Sequence, residues 1–238
     1  MGYILALAGI VLALVLLARL RRPEGRQTPT PAARETYTPT AQEPFADRVT
    51  GGVSGDRAAR DRRDAIDFVR RLMENKSKCV ILDTETTGLK KSDEIVQLAV
   101  IDLDGNILFN ENIRPTKKRR MSRDAVAIHG LTMKMSSNCP TFAELAEPLE
   151  RAIGGKTVIA YNALFDGRMY AQTLNLAGGF MHMGDWADVM DEYAKYVGEW
   201  SDYHQDYKWQ PLPGGTHSAL GDCLATLEVL RKMAATTD

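Results

Sequence analysis

Four consecutive apolar residues, Cys79, Val80, Ile81 and Leu82, run directly into Asp83, Thr84 and Glu85. An unbroken apolar run of this kind marks a strand covered on both faces, and two carboxylates spaced two apart at its end leave it on one face. Such a strand belongs in a sheet with helices on either side. The segments that follow agree. EIVQLAVIDLDG and ILFNENIRP read as the next two strands of a meander, turning at Asp104 and Gly105. Thr141, with Glu144 three residues on, reads as a capping box opening a helix that stops at Gly154 and Gly155. TVIAYN reads as a short strand, while FDGRMYAQTLNLAGG, WADVMDEYAKYVG and SALGDCLATLEVLRKMAA read as helices. The order, three strands, a helix, a strand and further helices, predicts one α/β domain with a mixed sheet flanked by helices.

The N-terminus has a different character. Residues 1–18 carry no charged side chain, and Arg19, Arg21, Arg22 and Arg26 follow at once. A helix of that length comes close to spanning a hydrocarbon core of about 30 Å, and the arginines can snorkel to its edge. A cleaved signal peptide would place its positive charge before the apolar run and a small-residue cleavage site after it; here the polarity is reversed. Residues 1–22 are therefore expected to be a transmembrane anchor. The positive-inside rule keeps the arginines and everything after them cytoplasmic, as a single-pass protein of the inner membrane. Residues 23–55, rich in Thr, Pro, Ala, Gly and Gln, read as a flexible tether, and 56–75 as a connecting helix with Ile66, Val69 and Met73 on one stripe. That leaves 76–238 as the globular domain.

Charge narrows the function classes. The chain has 30 Lys and Arg against 31 Asp and Glu, so a protein holding nucleic acid by bulk positive charge is excluded. The domain at 76–238 is slightly acidic, with 18 basic and 22 acidic residues. Any nucleic-acid role needs a local site. Three widely spaced cysteines, Cys79, Cys139 and Cys223, form neither a disulfide framework nor a metal knuckle.

Three segments carry chemistry. Asp83 and Glu85 form half a cage for a hard divalent cation, followed by a Thr86-Thr87-Gly88 turn able to present N–H groups to an anion. Asp166 follows an apolar strand at the start of a helix, where a cap would also place it. His217 precedes a helix that carries Asp222 in its first turns. Read singly, each has an ordinary explanation as a surface or capping group.

Together they resemble the DEDDh, or DnaQ-like, 3′–5′ exonucleases, whose motifs DxExTG, NxxFD and HxxxxD occur in this order. Here they read Asp83-Thr84-Glu85-Thr86-Thr87-Gly88, Asn162-Ala163-Leu164-Phe165-Asp166 and His217-Ser218-Ala219-Leu220-Gly221-Asp222, and Ile128-His129-Gly130-Leu131-Thr132 is similar to the family's IHGIT segment. The resemblance covers residues 80–233 and implies a ribonuclease H-like fold. It also implies that Asp83, Glu85, Asp166 and Asp222 hold two divalent ions, Mg²⁺ or Mn²⁺, which clamp the attacking and leaving oxygens of a phosphodiester displacement. His217 would be the catalytic base. Thr86, Thr87, Gly88 and Leu89 would receive the terminal nucleotide, with Leu89 wedged beside a base and His129, Asn162 and Phe165 bordering the pocket. For Phe165 a plain core role is equally open, and for Asn162 a backbone bond.

The expected activity is hydrolysis from the 3′ end of a single strand, releasing 5′-nucleoside monophosphates. DNA is favoured over RNA because the long segment before the third motif, with its Tyr207-Lys208-Trp209-Gln210, looks more like the polymerase proofreading subunit and its stand-alone relatives. An exoribonuclease, or a catalytically silent nucleic-acid-binding membrane scaffold, are the alternatives. Six basic residues lie between Arg114 and Arg123, in a loop that either steers the phosphate backbone or is a solvated face. The Tyr203 to Pro213 segment offers aromatics for stacking or for packing, and His182 and His204 have no companion ligands.

Overall fold

A computed structural model describes residues 54–116, 121–179 and 184–237. The anchor expected at 1–22, nearly all of the tether at 23–55, the basic residues Lys117, Lys118, Arg119 and Arg120, and His182 lie outside the described residues. Among those described, no helix is long and apolar enough to cross a membrane.

The sheet is mixed and five-stranded. β1 (Cys79–Thr86), β2 (Ile95–Ile101) and β3 (Ile107–Asn112) form an antiparallel meander. β4 (Thr157–Ala160) and β5 (Trp186–Asp188) run parallel to β1 on its other side, giving the order β3-β2-β1-β4-β5. The β2–β3 turn is held by the Asp102 carboxylate, which accepts from the Asp104 and Asn106 N–H groups, with Gly105 at φ 96°.

The apolar run of β1 serves two cores by simple alternation. Cys79 and Ile81 face one side, packing with α1 (Gly55–Glu74), α6 (Val189–Val197) and α7 (Ala219–Ala234). Val80 and Leu82 face the other, packing with α4 (Ala146–Ile153) and α5 (Ala163–Leu176). α1 lies within the first core: Ala65, Ile66 and Val69 are fully buried. Arg70 donates to the Ala234 and Thr236 carbonyls, the Arg62 guanidinium lies over the Tyr196 ring, and the Tyr207 hydroxyl bonds Asp61.

Local reading went astray in three places. WADVMDEYAKYVG is a strand and then a helix, because Asp188 accepts from Asp191 N–H at 3.0 Å and so starts α6 only at Val189. The Thr141–Glu144 box does form, with bonds of 2.6 and 3.4 Å, yet α4 begins only at Ala146. Pro148 has no N–H to give the Glu144 carbonyl, so the box closes a turn rather than a helix. Two short helices, α2 (Arg123–His129) and α3 (Met133–Ser136), and a small hairpin, β6 (Trp200–Ser201) with β7 (Asp206–Tyr207), had no clear periodic signal.

Candidate active site

Asp83 and Glu85 leave the last turns of β1 on the face that packs against α7, and the register slips between Glu85 and Thr86 as the strand ends. Thr84 points to the opposite face, and its hydroxyl donates to Asp166 Oδ1 at 2.6 Å. Asp166 is brought there by α5. Asn162 caps that helix, its Oδ1 accepting from Phe165 N–H at 3.1 Å, and the Asp188 carboxylate accepts from Ala163 N–H at 2.9 Å. Asp166 is 3% exposed, and burial pushes its carboxyl up to about 7.

α7 delivers the rest. Ser218 caps it, accepting from Gly221 N–H at 3.3 Å, while Gln97 of β2 accepts from Ala219 N–H at 2.9 Å. Asp222 Oδ1 accepts from the backbone N–H groups of Thr216 and His217, at 2.7 and 3.1 Å, so this carboxylate holds the loop that presents the histidine. His217 stands at φ 59°, a left-handed conformation that this pair of bonds maintains. Gly221 is required beneath it: a Cβ there would sit 2.0 Å from Thr216 Oγ1. One ligand atom each from Glu85, His217 and Asp222 falls within 4.8 Å of the others.

Burial first, and then Asp166, Asp222 and Glu85, hold the Asp83 carboxyl well above the usual carboxylate range. The Cys223 sulfur beside them is turned onto the Ile81 and Ala99 carbonyls. Four carboxylates crowded together, with one imidazole beside them, fit a hard divalent cation, whose charge would relieve their repulsion.

The nucleotide side is more closed than the sequence suggests. Thr86 and Thr87 are buried and their hydroxyls are used internally: Thr86 Oγ1 donates to the Gly88 carbonyl and Thr87 Oγ1 to Asp93. The Thr87 N–H is taken by the Glu94 carbonyl, so it is not offered to an anion. Of the N–H groups expected to face an anion in the Thr-Thr-Gly turn, that of Thr87 is thus already bonded. Gly88 is required for the turn, since a Cβ would meet Asp93 Oδ2 at 2.8 Å. Leu89 is 58% exposed. His129 uses both ring nitrogens on the backbone: Nε2 donates to the Thr86 carbonyl at 3.1 Å and Nδ1 accepts from Leu131 N–H at 3.0 Å. Burial, with His217 nearby, holds His129 below the usual imidazole range. It fastens the Ile128–Thr132 segment to the end of β1. Phe165 is partly buried in the core that α5 shares with the sheet, and the Arg168 guanidinium lies 5.3 Å from its ring centre.

Thr84, Gln97 and Asp188 escaped notice in the sequence, although each anchors an element of this site. Thr84 lies inside the first motif, and Asp188 before an apolar periodic run carries a cap signature. Gln97 has no local signal at all.

A family model described as an exonuclease, RNase_T, matches residues 80–230. An uncharacterized exonuclease of Escherichia phage 186 is 34% identical over 172 residues, which cover 65% of this chain and 87% of the phage protein. The DNA polymerase III subunit epsilon of Rickettsia felis is 33% identical over 103 residues, covering 41% of this chain and 44% of that subunit. Among solved structures, E. coli Exonuclease I in complex with a dA16 oligonucleotide superposes with a TM-score of 0.53 at 17% identity, over 66% of this chain and 42% of that one. The chain thus spans less than half the length of that epsilon subunit and of Exonuclease I, and what it shares with the latter is the fold.

Proposed function

The chain belongs to the RNase_T exonuclease family, whose members work with divalent metal ions, and on that premise we propose that it degrades single-stranded DNA from the 3′ end, releasing 5′-nucleoside monophosphates. One observation carries this reading. Asp83, Glu85, Asp166 and Asp222, from a strand and two helices, converge beside His217 in the order and spacing of the family's motifs.

Asp83, Glu85, Asp166 and Asp222 would hold the cations, which when bound offset the charge that builds on the phosphate and the departing 3′-oxygen. The protein's own groups do the rest. His217 takes the proton from the attacking water. Asp222 holds the His217 loop through two backbone N–H groups and so sets where that proton goes. Thr84 fixes the rotation of the Asp166 carboxylate. Exposed Leu89 at the tip of the turn after β1 abuts the terminal base.

DNA as substrate is supported by the epsilon-subunit relatives and by the oligodeoxynucleotide bound to Exonuclease I. Tethering is supported by the uncharged run at 1–18 with the arginines behind it, which would hold the domain at the cytoplasmic face of the inner membrane.

The full-length chain, given Mg²⁺ and a 3′-labelled strand, is expected to release labelled mononucleotide, and Asp83→Asn is expected to release none. Single-stranded DNA, duplex DNA and RNA run in parallel rank the substrates. Faster release from RNA would replace the DNA reading, and equal release by wild type and Asp83→Asn would defeat the enzyme reading altogether.

A further inference from the structure

Along α5 and the turn that follows β1 lies a positively charged ledge. α5 passes alongside the turn that follows β1, and the two are laced together by side chains one helical turn apart. Arg168 Nη1 donates to the Leu89 carbonyl at 3.4 Å, and Gln172 Nε2 reaches the Lys90 carbonyl at 3.0 Å. The Arg168 guanidinium lies against the Phe165 ring, which holds it in place by a cation–π contact. Arg168, Lys90 and Lys91 are all exposed. Among the described residues none of the three forms an ion pair with a carboxylate. Asp93, the acid of this turn, is engaged within it, accepting from Lys90 N–H at 2.7 Å and from the Thr87 hydroxyl.

Among the described residues these three cations have no carboxylate partner, in a domain with more acidic than basic residues, and they border the turn that leaves the end of β1 after Glu85. Two residues past Asp166, Arg168 lies on the solvent side of α5, where it meets the Leu89 carbonyl four residues past Glu85. A planar guanidinium fixed by a carbonyl and a ring keeps donors for a phosphate oxygen, whereas a lysine pair supplies mobile point charge. We propose that this ledge binds the phosphates that lie 5′ to the scissile bond, with Arg168 as the principal contact, so that the enzyme grips a strand rather than a single nucleotide. The proposal rests on the exonuclease reading above.

Two substrates separate strand binding from chemistry: thymidine 5′-(p-nitrophenyl phosphate), which has one phosphodiester and nothing upstream, and a short oligothymidylate. For Arg168→Ala in the full-length chain, the ratio of kcat/KM on the oligonucleotide to that on the nitrophenyl ester should fall about tenfold, mainly through KM. The slope of log(1/KM) for the oligonucleotide against log salt should lose about 0.7 in magnitude. Arg168→Lys should recover most of both, and the Lys90→Ala/Lys91→Ala double variant should lower the slope with a smaller loss of the ratio. A wild-type ratio and slope in Arg168→Ala overturns the proposal. So does equal loss on both substrates, which would mean that Arg168 merely braces the turn. A wild-type chain that cleaves neither substrate overturns the exonuclease reading, and this inference with it.

Discussion

The starts of α5 and α7 are near copies of one another. Each has a polar cap, Asn162 or Ser218, accepting from the N–H three residues on. In each, the first helical N–H, of Ala163 or Ala219, goes at 2.9 Å to a side chain from a strand, Asp188 of β5 or Gln97 of β2. Each carries an aspartate four residues past its cap, Asp166 or Asp222. What surrounds those two carboxylates differs. Asp166 is enclosed and takes a hydroxyl bond from Thr84, and burial pushes it up to about 7. Asp222 instead accepts two backbone N–H groups from the histidine loop. Identical local signals thus yield one carboxylate made costly to ionise and one that organises its neighbour.

The largest test asks whether the two helix starts are equally indispensable. His217→Asn should lower kcat on a 3′-labelled strand roughly a thousandfold, as loss of a general base does. Asp166→Asn and Asp222→Asn should each lose at least as much; a large difference between them would break the symmetry of the two starts.

Next in size are changes to what holds each aspartate. Gly221→Ala drives a methyl into Thr216 Oγ1 and should displace the histidine loop, lowering kcat by about tenfold or more with little change in KM. Thr84→Val removes the bond to Asp166 and should weaken the apparent Mg²⁺ affinity by about tenfold, with Thr84→Ser restoring it. If Thr84→Val lowers kcat at saturating Mg²⁺ as Gly221→Ala does, the two aspartates do not differ in the way stated.

Stability in chelator gives effects of opposite sign. The raised Asp166 carboxyl means that the folded chain binds its proton more tightly than the unfolded chain does. That contribution is complete at low pH and is lost as pH rises through about 7. With EDTA at pH 8, Asp166→Asn should therefore raise the melting temperature by roughly 5 °C, with a smaller rise at pH 5 and little change below about pH 4. Asp222→Asn weakens two charge-assisted bonds and should lower the melting temperature by roughly 3 °C at pH 8. Mg²⁺ should stabilise the wild type more at pH 8 than at pH 5. Matching shifts for the two variants would erase the contrast.

The smallest effect concerns the caps. Asn162→Ala and Ser218→Ala should each cost about 1 kcal/mol by urea denaturation, softened in both because Asp188 and Gln97 remain bonded to the next N–H.

How much of this was readable in advance follows from how far apart the partners lie. The Asp83–Glu85 pair, Asp166, and His217 with Asp222 stand out because together, and in this order, they match the motifs of the exonuclease family, each motif being only a few residues long. Thr84 meets Asp166 across 82 residues of chain, and Gln97 meets Ala219 across 122. No local periodicity encodes such pairs, so Gln97 looked like any strand residue. β5 was missed for the same reason: three residues become a strand only because β4 offers its edge. In the Thr-Thr-Gly turn, too, the Thr87 hydroxyl and N–H find partners in Asp93 and Glu94 that the local sequence does not announce.

The sequence by itself determined the alternation that buries β1 on both faces, because that depends on backbone geometry over a few residues, and it named five candidate catalytic side chains through the order of the family's motifs. Only the tertiary structure decided that Asp166 resists ionisation while Asp222 grips the histidine loop, that His129 is a backbone fastener, and that Arg168 is braced between the Phe165 ring and the Leu89 carbonyl. Those are properties of a local dielectric and of groups brought together from distant parts of the chain, and they come into being only when the chain closes.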